Sequence, residues 1–181
     1  MLKTRGAYDI LDPDTKAPIG LAKETTPGWA IAMRALLKKQ MLPMKIEIQA
    51  VGETTPQLRI ERGWSFMRSK VNVLDAQNNS LGYFKSKLFS LGGGFHVYNT
   101  SDEKVADVKG NWKGWDFRFI DASGQELGTV SKKMSGLLKE MFTTADNYLI
   151  AINDAGAAQP TTSSLLLAAG LAIDTVYNEK K

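Results

Sequence analysis

The chain has 181 residues, 43% of them hydrophobic and 23% charged, the balance of an ordinary single globular domain spanning 1–181 and not of a disordered chain. It holds no cysteine, which excludes disulfides, thiolate metal sites, a cysteine nucleophile and S-palmitoylation. The formal charge of +4 permits an anionic partner (acidic membrane, nucleic acid, phosphorylated ligand) without requiring one.

Taken from the N-terminus, Met1-Leu2-Lys3-Thr4-Arg5-Gly6 lacks the apolar stretch of a secretory signal, and with no cysteine the expectation is a cytoplasmic protein. A pattern then recurs four times. Tyr8-Asp9-Ile10-Leu11-Asp12 leads through a polar turn to Ile19-Gly20, and Val71-Asn72-Val73-Leu74-Asp75 leads to Leu81-Gly82. Phe95-His96-Val97-Tyr98-Asn99 leads to Val105-Ala106, and Phe117-Arg118-Phe119-Ile120-Asp121 leads to Leu127-Gly128. Each unit is an apolar strand ending in Asp or Asn, a turn, and a return strand that opens on a small residue. Asp and Asn start turns because their side chains accept hydrogen bonds from the backbone two residues on. Further strands are expected at 45–50, 58–63 and 148–152.

Between these units, Pro27-Gly28-Trp29 opens a helix running to about Lys39, with Trp29, Met33, Leu36 and Leu37 on one side and Arg34, Lys38 and Lys39 towards the other. Two readings stand: a cap over one mouth of the fold with its apolar face inward, or a basic amphipathic helix on a membrane surface. A second short helix is expected around 135–142. Near the C-terminus, Ser164-Leu165-Leu166-Leu167-Ala168-Ala169-Gly170-Leu171-Ala172-Ile173 is apolar on every side, so it must be enclosed on every side. It falls short of the ~20 residues that a membrane span needs. The expectation is a central helix over 163–177, capped by Ser163 or Ser164. Roughly a dozen short strands and one enclosed helix predict a mainly β fold: a closed antiparallel β-barrel wrapped around that helix.

Trp112-Lys113-Gly114-Trp115, Gly128-Thr129-Val130-Ser131-Lys132-Lys133-Met134-Ser135-Gly136 and Lys139-Glu140-Met141-Phe142-Thr143-Thr144-Ala145-Asp146-Asn147-Tyr148, together with the closing apolar helix, carry a family likeness. In these segments the chain resembles the phospholipid scramblase-related proteins of the tubby C-terminal-like superfamily, which also includes the LURP-one-related proteins. The resemblance implies a twelve-stranded barrel around a C-terminal helix. It points to phosphoinositide head-group binding, as in tubby-type domains, or to calcium-dependent lipid translocation, as in scramblases. The acidic segment that scramblases are proposed to use for calcium corresponds to Phe142 to Tyr148, where Thr143 or Thr144 stands in place of a carboxylate, leaving Asp146 with Glu140 nearby. A calcium site wants about six to eight oxygens, so no metal is expected, and no cofactor either.

No catalytic constellation stands out, and the chain is not expected to be an enzyme. The lone His96 alternates with Phe95 and Val97 and shares a face with Tyr98, as a solvent-facing histidine would. Leu91-Gly92-Gly93-Gly94 lacks the following helix of a phosphate loop. Asp174 interrupts the apolar helix and is expected at a barrel mouth or beside a cation. The clearest functional signal is the placement of basic residues in Arg68-Ser69-Lys70, Lys85-Ser86-Lys87 and Ser131-Lys132-Lys133. If 68–75 and 80–87 form one hairpin, Arg68, Lys70, Lys85 and Lys87 meet at its open end, and with Lys132 and Lys133 they would suit the phosphates of a lipid head group. The competing reading is a solvated outer face on a protein-interaction or structural module, and a weaker one is lipid translocation. Trp112, Trp115, Phe84 and Phe89 raise nucleic-acid stacking, which the small charge excess argues against. The expected setting is the cytoplasm, peripheral at the inner membrane surface.

Overall fold

The computed structural model describes residues 2–4, 7–12, 14–26, 28–33, 36–37, 41–64, 70–86, 94–111, 116–132, 148–158 and 160–177. In chain order the elements are β1 (Leu2–Thr4), β2 (Ala7–Leu11), β3 (Pro18–Glu24), α1 (Gly28–Met33), β4 (Met44–Ala50), β5 (Leu58–Arg62), β6 (Lys70–Asp75) and β7 (Ser80–Ser86). There follow β8 (Gly94–Tyr98), β9 (Lys104–Asn111), β10 (Asp116–Asp121), β11 (Glu126–Lys132), β12 (Tyr148–Ile152), α2 (Asp154–Ala157) and α3 (Pro160–Tyr177). The twelve strands form one sheet in sequence order, each pairing antiparallel with the next. Among the described residues no pairing joins β1 to β12, so the expected closure of the barrel is not part of the observed sheet.

Strict alternation sorts the strands into two faces. Met44, Ile46 and Ile48 of β4 are buried with Leu58 and Ile60 of β5, while Lys45, Glu47, Arg59 and Glu61 project from the other face. There they neutralise one another, with Lys45 3.2 Å from Glu47 and 3.6 Å from Glu61, and Arg59 3.5 Å from Glu47. On the inner face Phe84, Phe95, Phe117 and Phe119 share one core with α3, whose Leu165, Leu166, Ala168, Ala169, Leu171, Ala172 and Ile173 are all buried. The helix meets β5, β6 and β7 as well as β12. Small residues make this close wrapping feasible: a Cβ at Gly170 would lie 2.5 Å from Ile150 Cδ1 and 3.3 Å from Val130 Cγ2.

Two details of the helices differ from expectation. The central helix begins at Pro160 rather than at 163, because proline is preset for the first turn and needs no N–H partner there. Ser163 is therefore inside α3, and its Oγ donates to the Gly156 carbonyl at 3.0 Å instead of capping. Asn153 is the cap that forms, accepting from Gly156 N at the start of α2. The helix after Pro27 is described only over α1, with a turn at Leu36–Leu37. Its inward apolar face is corrected: Ala30 is buried, but Trp29 is 50% and Leu36 84% exposed.

The fourfold sequence repeat is a repeated turn. Asp75 Oδ1 accepts from Gln77 N at 2.9 Å and Asn79 N at 2.8 Å. Asn99 Oδ1 takes Ser101 N and Glu103 N at 2.9 and 3.0 Å, and Asp121 Oδ1 takes Ser123 N and Gln125 N, both at 2.8 Å. Asp12 does the same for Asp14 N and Thr15 N at 3.0 and 2.8 Å. Each turn is followed by a register shift in the paired strands, and Gly20, Gly82, Ala106 and Gly128 stand opposite the residue just before that shift.

These bonds hold the carboxyls of Asp12, Asp75 and Asp121 below their ordinary value of 3.8, chiefly through the Thr15 backbone, the Asn79 side chain and the Ser123 hydroxyl respectively. A depressed carboxyl stabilises the fold above its unfolded value, and that contribution is lost as pH falls below about 4. Asn99 holds the same turn without a titrating group, so Asp121→Asn is expected to narrow the gap in melting temperature between pH 7 and pH 3. Equal gaps in variant and wild type would refute this.

Candidate functional site

The β6–β7 hairpin forms with Lys70 directly opposite Lys85 at its open end. The register continues the row: Lys85 stands opposite His96 of β8, and His96 opposite Asp107 of β9. Four outward-facing positions on neighbouring strands thus carry cation, cation, imidazole and carboxylate. His96 Nδ1 lies 2.6 Å from Asp107 Oδ1, and since a carboxylate only accepts, that ring nitrogen donates. Lys104 Nζ reaches Asp107 Oδ2 at 3.4 Å. Asp107 is therefore held between His96 and Lys104, at the far side of the row from Lys70.

One step towards the tight turns, Tyr83 and Tyr98 face each other across β7 and β8 with ring centroids 4.8 Å apart and planes 10° from parallel. Lys70 Nζ sits 3.8 Å above the Tyr83 ring, a cation–π contact that favours this position of the ammonium. The His96 ring meets Tyr98 edge-on at 6.4 Å. Burial pushes the Tyr83 phenol up, and a hydrogen bond and nearby charge from Asp102 push it the same way. The outer face here is an aromatic stack with the Lys70 ammonium over one ring and Lys85 on the neighbouring pair of positions.

Contrast with β4–β5 gives this row its meaning. There Lys45 and Arg59 each have a carboxylate within 4 Å; among the described residues none stands within ion-pair distance of Lys70 or Lys85. Like charges directly opposite in a ladder repel, and an anion placed between them removes the repulsion. The hairpin and the meeting of Lys70 with Lys85 are as the sequence implied. Arg68, Lys87 and Lys133 lie outside the described residues. Lys132 ends β11, its backbone paired with Tyr148, on the far side of β8, β9 and β10 from the Lys85 strand. The aromatic stack was missed, although Tyr83 shares the period-2 face of Lys85 as Tyr98 shares that of His96.

Other candidates fare differently. Phe84 is fully buried, as are Phe117 and Phe119, so it offers no stacking surface for a base; Phe89, Trp112 and Trp115 lie outside the described residues. So do the expected helix around 135–142, Glu140 and residues 142–147 of the segment weighed for calcium, residues 91–93 and the side chain of Asp174. Among the described residues no cluster of His, Asp or Glu could hold a metal ion, and no helix is long and apolar enough to cross a membrane. A cavity of about 530 Å³ opens where α3 enters the sheet, floored by Leu165 and Leu166 and rimmed by Glu103 and Asp121. Lys104 lines it too, so its carboxylates outnumber its cations and it offers an anion no net attraction.

No curated protein and no solved structure matches the chain. The model of one family, Scramblase, matches residues 57–180, which run from the start of β5 through α3 and include the Lys70–Lys85 hairpin. The match covers more than half of the sequence, and the protein belongs to the Scramblase family.

Proposed function

We propose that the protein is a non-catalytic binding module that docks reversibly on an anionic phospholipid surface, holding head-group phosphates at Lys70 and Lys85. The observation that carries this reading is the direct opposition of these two lysines without an ion-pair partner among the described residues. Charge-assisted hydrogen bonds from ammonium to phosphate are strong and need no deep pocket. Arg68 and Lys87 adjoin the pair in sequence, and Lys132 and Lys133 add to the cationic complement in this reading. Membership of a family named for lipid scrambling supports a lipid over other anions. The cytoplasmic leaflet, which carries the anionic lipids, is the surface that fits.

The architecture supports kinship with the wider tubby C-terminal-like superfamily and its LURP-one-related members. In this reading the sheet closes between β1 and β12, because α3 already meets β5 to β7 and β12. Cysteines introduced along both strands of this cysteine-free chain would cross-link if it does, and their failure to do so at every position would contradict closure.

Co-sedimentation with vesicles tests the function. Binding to acidic vesicles that weakens as salt rises, with none to neutral vesicles, is expected. Equal binding to both, or to neither, would overturn the reading, and lipid flip in reconstituted vesicles would replace it with translocation.

A further inference from the structure

Trp29 and Trp64 stack with ring centroids 5.6 Å apart and planes 26° from parallel, yet they remain 50% and 46% exposed. Leu36 in the turn after α1 is 84% exposed. Large apolar side chains clustered at a surface mark a contact with something less polar than water. Their place in the topology identifies that contact. A meander sends alternate connections to opposite ends of the sheet. Trp29 and Leu36 lie between β3 and β4, and Trp64 follows β5, so all three belong to one end. Lys70 opens β6 and Lys85 nearly closes β7 at that same end. The tight turns of the opposite end carry Asp12, Asp14, Glu53, Asp75, Asp102, Glu103 and Asp121 against Lys16. Charge is thus unevenly shared between the ends: carboxylates outnumber cations in the tight turns, and the exposed indoles lie at the end that holds Lys70 and Lys85, with Glu24 and Asp116 also there.

We infer that the Trp29–Trp64 stack is an interfacial anchor, seated among the head groups of an anionic bilayer while Lys70 and Lys85 meet the lipid phosphates and the acidic turns face water. An indole has an apolar body and one N–H donor, the combination that favours the boundary between acyl chains and water. This uneven charge selects an anionic surface and fixes the orientation. This rests on the lipid-binding reading above and adds the part of the molecule that enters the interface.

The test uses a Trp112→Phe/Trp115→Phe chain, in which emission reports Trp29 and Trp64 alone, and acidic vesicles with and without lipids brominated high on the acyl chain. A blue shift on binding with quenching by the brominated lipid is expected, and Trp29→Ser/Trp64→Ser should weaken partitioning at least tenfold in the folded protein. Salt-sensitive sedimentation with unchanged emission, and a Ser variant that binds like wild type, would overturn the anchor and leave the lipid-binding reading standing. No sedimentation with acidic vesicles would overturn both. Self-association abolished by the Ser variant, without any shift on vesicles, would make the stack a protein contact and overturn the anchor.

Discussion

Leu171→Asp is expected to leave no cooperative unfolding transition, whereas Leu171→Ala should fold with stability lowered by about 2–5 kcal/mol. Leu171 is 1% exposed, and its helix neighbours Ala168 and Ala172 are fully buried. Alanine there removes buried methyl groups and leaves a cavity. Aspartate does that and also strands a carboxyl among apolar side chains, where it must give up either its charge or its hydration. Either cost adds several kcal/mol to the cavity term, against a total stability of about 5–15 kcal/mol. Urea unfolding followed by circular dichroism reads both variants. A Leu171→Asp protein that melts cooperatively within a few degrees of wild type would show that α3 is not the core of the fold.

The second large effect is expected at Gly82. Its φ of 144° is one that side-chain-bearing residues rarely adopt, and a Cβ there would drive into the Tyr98 carbonyl oxygen and lie 3.3 Å from Leu165 Cδ2. Backbone strain of about 1–3 kcal/mol and overpacking of similar size act together in Gly82→Ala. The comparison that gives this force is Ala106, which occupies the same place in the third repeat, opposite Val97 and just before the register shift. A Cβ is accommodated there, so Ala106→Gly should cost no more than about 1 kcal/mol. Denaturant midpoints of the two variants decide it. Equal losses would mean that the four repeats do not differ in how closely the next strand approaches.

Much of this fold was legible because its information is local. Asp75, Asn99 and Asp121 announce their turns through side chains that bond two and four residues ahead, and α3 announces itself by having no polar face. The helix start was misplaced by three residues because serine capping was weighed above the proline signal at Pro160. What required structure was long-range register. The Tyr83–Tyr98 stack depends on how β8 aligns on β7 across the connection 87–93, which no turn motif sets. The exposed Trp29 ran against periodicity, since six helical residues are too few for a moment to decide which face is buried. Of the cationic site, the Lys70–Lys85 pairing followed from hairpin geometry alone. Of the wider cluster, Lys132 lies several strands away, and Arg68, Lys87 and Lys133 fall outside the described residues.

In the proposed function, opposed lysines on one hairpin bind anionic lipid. Lys70→Glu/Lys85→Glu in the full chain, compared with wild type on acidic vesicles at low and moderate salt, tests it most directly. Neither side chain is part of the core, so the melting temperature should stay near that of wild type. Binding should fall at least tenfold, with the salt dependence of whatever remains reduced. A folded variant that sediments with acidic vesicles as strongly as wild type would contradict the claim and free the hairpin of any role in lipid recognition.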